Sequence, residues 1–180
     1  MKKYTKEKTT DFGAINIPFS KKQGLVNEIF DNVSKNYDLM NDLMSFGLHR
    51  FWKKGLLDWM APRPSQNLLD IAGGTGDVAI EFLKRGGQKV ILLDINFKMM
   101  NEYKKKNIQY SNNKIFLLNA DAEEIPLPSN SMDLISISFG LRNIPDKIKA
   151  LNEIRRVLKT GGRFMCLEFS ELNSPFLKYF

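Results

Sequence analysis

The chain has 180 residues, of which 43% are hydrophobic and 13 are Phe, enough for one folded domain with a sizeable core. A single Cys and a single His exclude an intrachain disulfide, a CxxC knuckle and a multi-histidine centre, so no metal is expected. The net charge of +7 lies partly in lysine runs without interleaved aromatics, and no nucleic-acid partner is expected.

Residues 1–22 carry six Lys against Glu7 and Asp11. They read as a polar, irregular arm that lacks the apolar stretch of a secretory signal. No run approaches the ~18 apolar residues of a membrane span, and the sparse cysteine fits a cytoplasmic, reducing compartment. From Leu25 onward, Val26, Ile29, Phe30, Val33 and Tyr37 recur at helical spacing and predict a first helix. A second is predicted over residues 48–60, stopped at Ala61-Pro62-Arg63-Pro64, because proline lacks an N–H and restricts its predecessor. Met40, Leu43, Met44, Leu48, Phe51 and Trp52 share the helical period and read first as core packing. His49 among them reads as a structural histidine rather than a base.

Beyond the prolines the texture alternates. Continuous apolar strands are predicted at 67–72, 89–94, 114–119, 133–139 and 163–169, and helices at 77–85, 97–106 and 146–158. Such strands separated by helices imply a parallel sheet covered on both faces, that is, an α/β doubly wound fold with ligands at the carboxyl ends of the strands.

The loop Ala72-Gly73-Gly74-Thr75-Gly76 follows the first of these strands. Gly74-x-Gly76-x-x-Ala79 satisfies a dinucleotide fingerprint, with Asp94 at the end of the next strand, but a strand-to-helix turn needs glycine for geometry alone. No Gly-Lys-Ser/Thr follows, which excludes a P-loop. Asp70, just before the glycines, would repel a pyrophosphate and suits a ligand carrying ammonium and sulfonium charge. At the exit of the third strand, the acidic side chain of Asp121 can accept from an adenine amino group, with Ala122 leaving room for the ring; a solvent-facing turn is the other reading.

At these points, from Leu68 to Ser170, the sequence resembles a class I S-adenosylmethionine-dependent methyltransferase. The resemblance implies a Rossmann-like sheet of strand order 3-2-1-4-5. It implies that Asp94 grips the ribose hydroxyls and that Asp121 and Ala122 frame the adenine. Gly74-Thr75-Gly76 would line the methionine end, and Ser138 completes the cofactor-binding set. Two long stretches narrow the family. Residues 37–52, YDLMNDLMSFGLHRFW, and residues 156–170, RVLKTGGRFMCLEFS, are similar to motifs of the ubiquinone/menaquinone biosynthesis C-methyltransferases (UbiE type). Ser138-Phe139-Gly140-Leu141-Arg142-Asn143 and Thr10-Asp11-Phe12-Gly13 resemble that family too. Thr160 departs from its usual Pro before Gly-Gly, which implies a less rigid loop.

The resemblance implies C-methylation of a polyprenylated quinol, either demethylmenaquinol or 2-methoxy-6-polyprenyl-1,4-benzoquinol, with S-adenosyl-L-methionine as cofactor. A peripheral contact with a membrane surface or a quinone-biosynthesis complex would follow from so apolar a substrate. The catalytic base is left open. Arg142 is a candidate for lowering the quinol's pKa or ordering a water, or else a surface arginine capping its loop. Residues 1–64 would form an N-terminal arm and helical lid over a core of residues 65–180. Because the family continues through two further strands, the resemblance also implies a C-terminally truncated chain with an exposed edge strand. The alternative expectation is therefore an inactive or partner-dependent fragment that at most binds the cofactor.

Overall fold

The computed structural model describes residues 9–12, 15–33, 37–106 and 114–169. Strands Thr9–Phe12 (β1) and Ile15–Pro18 (β2) pair antiparallel and lead into helix Phe19–Val33 (α1). Helices Tyr37–Ser45 (α2) and Leu48–Met60 (α3) come next. The core then alternates through Asn67–Ile71 (β3), Asp77–Lys84 (α4), Lys89–Asp94 (β4), Phe97–Lys106 (α5) and Ile115–Asn119 (β5). Met132–Ser138 (β6), Lys147–Val157 (α6) and Leu158–Leu167 (β7) complete it. The five core strands form one parallel sheet in the order β5-β4-β3-β6-β7, which is the expected doubly wound order.

The strand sequences explain the two-sided burial, since successive side chains face opposite ways. Leu68, Val90, Leu92 and Leu134 pack with Leu57 and Met60 of α3 and Phe82 of α4. Leu69, Ile71, Leu93, Ile135 and Ile137 pack on the other face with Ala150, Ile154 and Val157 of α6. Each such fully buried aliphatic contributes ~1.5–3 kcal/mol relative to exposure. Helix α6 starts where Asp146 accepts from the Lys149 N–H at 3.0 Å, satisfying a donor that a helix N-terminus otherwise leaves unpaired.

Several features differ from the sequence expectation. The arm is structured from Thr9, because its partners are distant in sequence. Lys22, 1% exposed, donates to the Arg142 carbonyl at 2.8 Å, and Lys147 donates to Asp11 at 2.6 Å. Helix α1 begins at Phe19, well before the apolar period becomes visible at Leu25. Helix α2 is a separate element, divided from α3 by Phe46 and Gly47, both with left-handed φ (50° and 74°). Leu39, Leu43, Leu48 and Phe51 are exposed, Phe51 to 72%, so they are not core. Finally, β7 starts at Leu158 and pairs with Met132, after which the register slips so that Leu134 meets Arg163. Residues 159–162 are accommodated as a bulge, and Thr160 lies exposed within it. Residues 1–8 of the arm, Gly13 and Ser170 of the quoted stretches lie outside the described residues.

Candidate active site

The carboxyl ends of the central strands open onto two cavities of about 80 and 160 Å³. They share Ala72, Gly74, Ser138 and Phe139. Ala72 and Phe139 leave β3 and β6 with φ of 52° and 57°, a left-handed conformation that costs non-glycine residues ~1–3 kcal/mol each and clusters at functional sites. The glycine turn itself closes through the Gly76 N–H donating to the Gly73 carbonyl at 2.9 Å, with Gly76 at φ 82° capping α4.

The first cavity has an acidic edge. Asp94, at the end of β4, accepts from the Gly74 N–H at 2.9 Å through Oδ2 and from the Asn96 N–H at 2.8 Å through Oδ1. Burial raises its pKa, against the pull of the Asn96, Gly74 and Ile95 backbone donors. A carboxylate has about four lone-pair sites, so acceptor capacity remains for a ligand hydroxyl. Asp121 accepts from the Glu123 N–H at 2.8 Å, an Asx turn that leaves Ala122 buried beside it. The loop after it is pinned by Arg156, which donates to the carbonyls of Ile125 and Leu127, both at 2.8 Å. Helix α1 covers this cavity with Gln23, Val26, Asn27 and Phe30. It is tied down where Asn96 donates to Asp31 at 2.9 Å and Lys98 pairs with Asp31 at 2.6 Å.

The second cavity lies under α2 and α3. Asp70 is fully buried, and its cross-strand neighbour Ser136 donates to Oδ1 at 2.7 Å. Oδ2 has no partner among the described residues. Burial pushes the Asp70 carboxyl up to about 7, with the Ser136 hydrogen bond and Lys53 opposing it. Lys53 itself pairs with Asp77 at 3.0 Å. Arg142 pairs with Glu168 and stands 5.3 Å from the Phe169 ring centroid. Phe169 stacks on Phe139 at 4.9 Å and meets Trp52 edge-on at 5.7 Å. His49 is 4% exposed; its Nε2 lies 2.8 Å from Asp42 Oδ1 and its Nδ1 has no partner among the described residues.

The expected cofactor-binding residues lie around these two cavities, although Gly76 lines neither. Gly74, Asp94, Asp121, Ala122 and Ser138 line the first cavity, while Thr75 stands in the second with Gly74 and Ser138. Sequence reasoning missed Asn96, Phe139 and the α1 wall. A capping Asn two residues after a strand-end Asp was the only available signal, since Asn96 also accepts from the Met99 N–H.

The model of the ubiE/COQ5 methyltransferase family matches residues 18–180. The chain belongs to the ubiE/COQ5 methyltransferase family. It is 47% identical over 169 residues to the ubiquinone/menaquinone biosynthesis C-methyltransferase UbiE of Acidiphilium cryptum, covering 93% of this chain and 68% of the relative. It is 47% identical over 171 residues to the same-named protein of Brucella abortus, covering 92% and 64%. The chain therefore spans about two thirds of the length of these relatives. The YcgJ protein of Bacillus subtilis superposes with a TM-score of 0.63 at 26% identity, over 72% of this chain and 55% of that one. An Aquifex aeolicus SAM dependent methyltransferase shares the fold, with a TM-score of 0.60 at 23% identity over 68% and 67%.

Family and fold are those of class I S-adenosylmethionine-dependent methyltransferases, and S-adenosyl-L-methionine is the cofactor they imply. The ubiE/COQ5 chain's own atoms fit that molecule. Asp70 Oδ2 and Ser138 Oγ are buried polar atoms without partners among the described residues, and both residues line the cavities. Unpaired buried acceptors are costly, and a ligand with cationic and hydroxyl groups relieves that cost.

Proposed function

We propose that the chain methylates a ring carbon of a polyprenylated quinol, with demethylmenaquinol and 2-methoxy-6-polyprenyl-1,4-benzoquinol as the candidate acceptors in menaquinone and ubiquinone biosynthesis. The observation that carries this reading is the pair of cavities meeting at Ala72, Gly74, Ser138 and Phe139. One suits a nucleoside and the other is walled partly by aromatic side chains. S-adenosylmethionine supplies an electrophilic methyl group when bound.

In this reading Asp94 accepts from the ribose hydroxyls, while Asp121 and Ala122 frame the adenine. Gly74 and Thr75 line the methionine end, with Ser138 beside them. Asp70 offers a carboxylate to the ammonium group. The protein's main contribution is alignment in a dry site, which can lower a bimolecular barrier by ~7–11 kcal/mol. Arg142, held by Glu168, faces the second cavity as the cation that polarises the acceptor's oxygen.

The apolar side chains left exposed on α2 and α3 and in the turn between them, Leu39, Leu43, Phe46 and Phe51, belong to the segment that also walls this cavity. They support a peripheral contact with a membrane surface, from which a prenylated substrate would come. No helix among the described residues is long and apolar enough to cross a membrane.

A methyl-transfer assay with labelled cofactor on short-chain quinols tests the reading; labelled C-methylated quinol is the expected product. Cofactor binding without transfer to any quinol would instead favour the second reading, a fragment that binds S-adenosylmethionine only. For the cofactor itself, Asp94→Ala is expected to weaken binding by about 1–3 kcal/mol, the loss of a charge-assisted acceptor. Unchanged affinity by calorimetry would contradict the ribose assignment.

A further inference from the structure

His49, the chain's single histidine, is buried and bonded to a side chain of the preceding helix. Asp42 on α2 accepts from Arg50 through both carboxylate oxygens, Nε at 2.6 Å and Nη2 at 2.7 Å. Arg50 and His49 together hold the Asp42 carboxyl well below the usual carboxylate range. An ionised carboxylate only accepts hydrogen bonds, so His49 Nε2, 2.8 Å from Asp42 Oδ1, must be the protonated nitrogen. In the neutral imidazole this leaves the lone pair on Nδ1. It is buried and without a partner among the described residues, and His49 is one of the residues that line the second cavity. A carboxylate that fixes the tautomer of an imidazole, leaving its other nitrogen to take a proton, is the arrangement of a general base.

We propose that His49 is the catalytic base that deprotonates the acceptor's phenolic hydroxyl, with Asp42 as its positioning residue. The inference rests on the quinol C-methylation proposed above. The O–H bond breaks, its electron pair stays on oxygen and flows into the ring, and the proton forms an N–H bond at Nδ1. The ring carbon ortho or para to that oxygen is thereby made more nucleophilic. The resulting imidazolium is stabilised by the Asp42 carboxylate and later returns the proton to water. Other charged groups face the same cavity: Lys53 from α3, Asp70 from β3, Asp77 from α4, and Arg142 with its partner Glu168. Lys53 and Arg142 are already cationic and paired, so neither is a proton acceptor. Asp70 is buried under the glycine turn and is assigned to the cofactor.

Because His49 is the only histidine, ¹⁵N NMR reads it without assignment. The ligand-free chain is expected to show a protonated Nε2 and an unprotonated Nδ1, and adding 1,4-naphthohydroquinone is expected to shift the Nδ1 resonance. An Nδ1–H tautomer, or an Nδ1 resonance that the hydroquinone leaves unmoved, overturns the assignment. In turnover, His49→Gln keeps a donor toward Asp42 and is expected to lower kcat by ~10²–10⁴-fold with the affinity for S-adenosylmethionine unchanged. The acid limb of the kcat–pH profile at saturating cofactor should disappear, whereas the contribution of Asp70 stays in the KM for cofactor. An unaltered limb sinks the proposal. Asp42→Asn, which leaves the ring intact, should lower kcat at least tenfold and release the tautomer in the same spectrum. A chain whose Nδ1 responds to the hydroquinone yet transfers no methyl to quinols keeps this base and refutes the proposed reaction. Methyl transfer with an unmoved Nδ1 does the reverse.

Discussion

Asp70→Asn is expected to make the ligand-free chain more stable at pH 8 and a poorer binder of its cofactor. The Asp70 carboxyl is pushed by burial to about 7, against about 3.9 in an unfolded chain. The folded state thus binds the proton more tightly than the unfolded state does. The stability this contributes is complete below about pH 4 and is lost as pH rises through 7. Across that window the loss amounts to about 4 kcal/mol, at 1.36 kcal/mol per unit. Asparagine can still accept from Ser136 and carries no charge to bury, so urea unfolding should show the variant gaining on the wild type from pH 4 to 7 and levelling off above. In the wild type, affinity for S-adenosylmethionine should fall as pH drops below 7, because only the ionised carboxylate attracts an ammonium group. In the variant that pH dependence should vanish, and affinity at pH 8 should be lower by about 1.5–3 kcal/mol. A variant that binds as tightly as the wild type would remove Asp70 from the cofactor site.

Gly76→Ala is expected to cost about 2–5 kcal/mol in stability. Gly76 has φ 82°, and a Cβ there would stand 2.5 Å from Tyr103 Cδ2 and 2.9 Å from Cε2. The left-handed backbone costs a side chain ~1–2 kcal/mol, and overpacking against the buried Tyr103 ring adds ~1–3 kcal/mol. Gly86 separates the two contributions. Its φ is 93°, but a Cβ there meets nothing within 4 Å, so Gly86→Ala should show the backbone cost alone. Equal losses in chemical denaturation would mean that α5 yields freely, and that the turn is less tightly held than its contacts indicate.

The sheet was legible because β3, β4 and β6 are short apolar runs with burial on both faces, and their order follows from alternation with helices. The acidic residues proposed for the site were legible for a related reason: Asp70 and Asp94 lie at the carboxyl ends of β3 and β4, and Asp121 follows β5. What escaped depends on tertiary partners. Strands β1 and β2 are too polar to announce themselves and are fixed by Lys22 reaching Arg142 and Lys147 reaching Asp11. Helix α2 was not predicted as an element of its own, and the turn that ends it rests on a positive φ at Phe46 that its side chain disfavours. That turn also brings Asp42 beside His49, seven residues away, a pairing that no single helix would provide. The helical spacing of Leu43, Leu48 and Phe51 suggested a core, yet amphipathic spacing does not reveal which surface an apolar stripe meets.

The ties between α1 and α5 carry a kinetic consequence. A ligand in the first cavity lies beneath α1, and α1 is tethered through Asp31 to Asn96 and Lys98. The Lys98 side chain is 60% exposed, so this tether is screened by salt. Release of a bound nucleoside past α1 should accordingly quicken as ionic strength rises, while Lys98→Met should set the fast rate already at low salt. Stopped-flow dissociation measured across a salt series would show whether the helix acts as an electrostatic latch on ligand residence time.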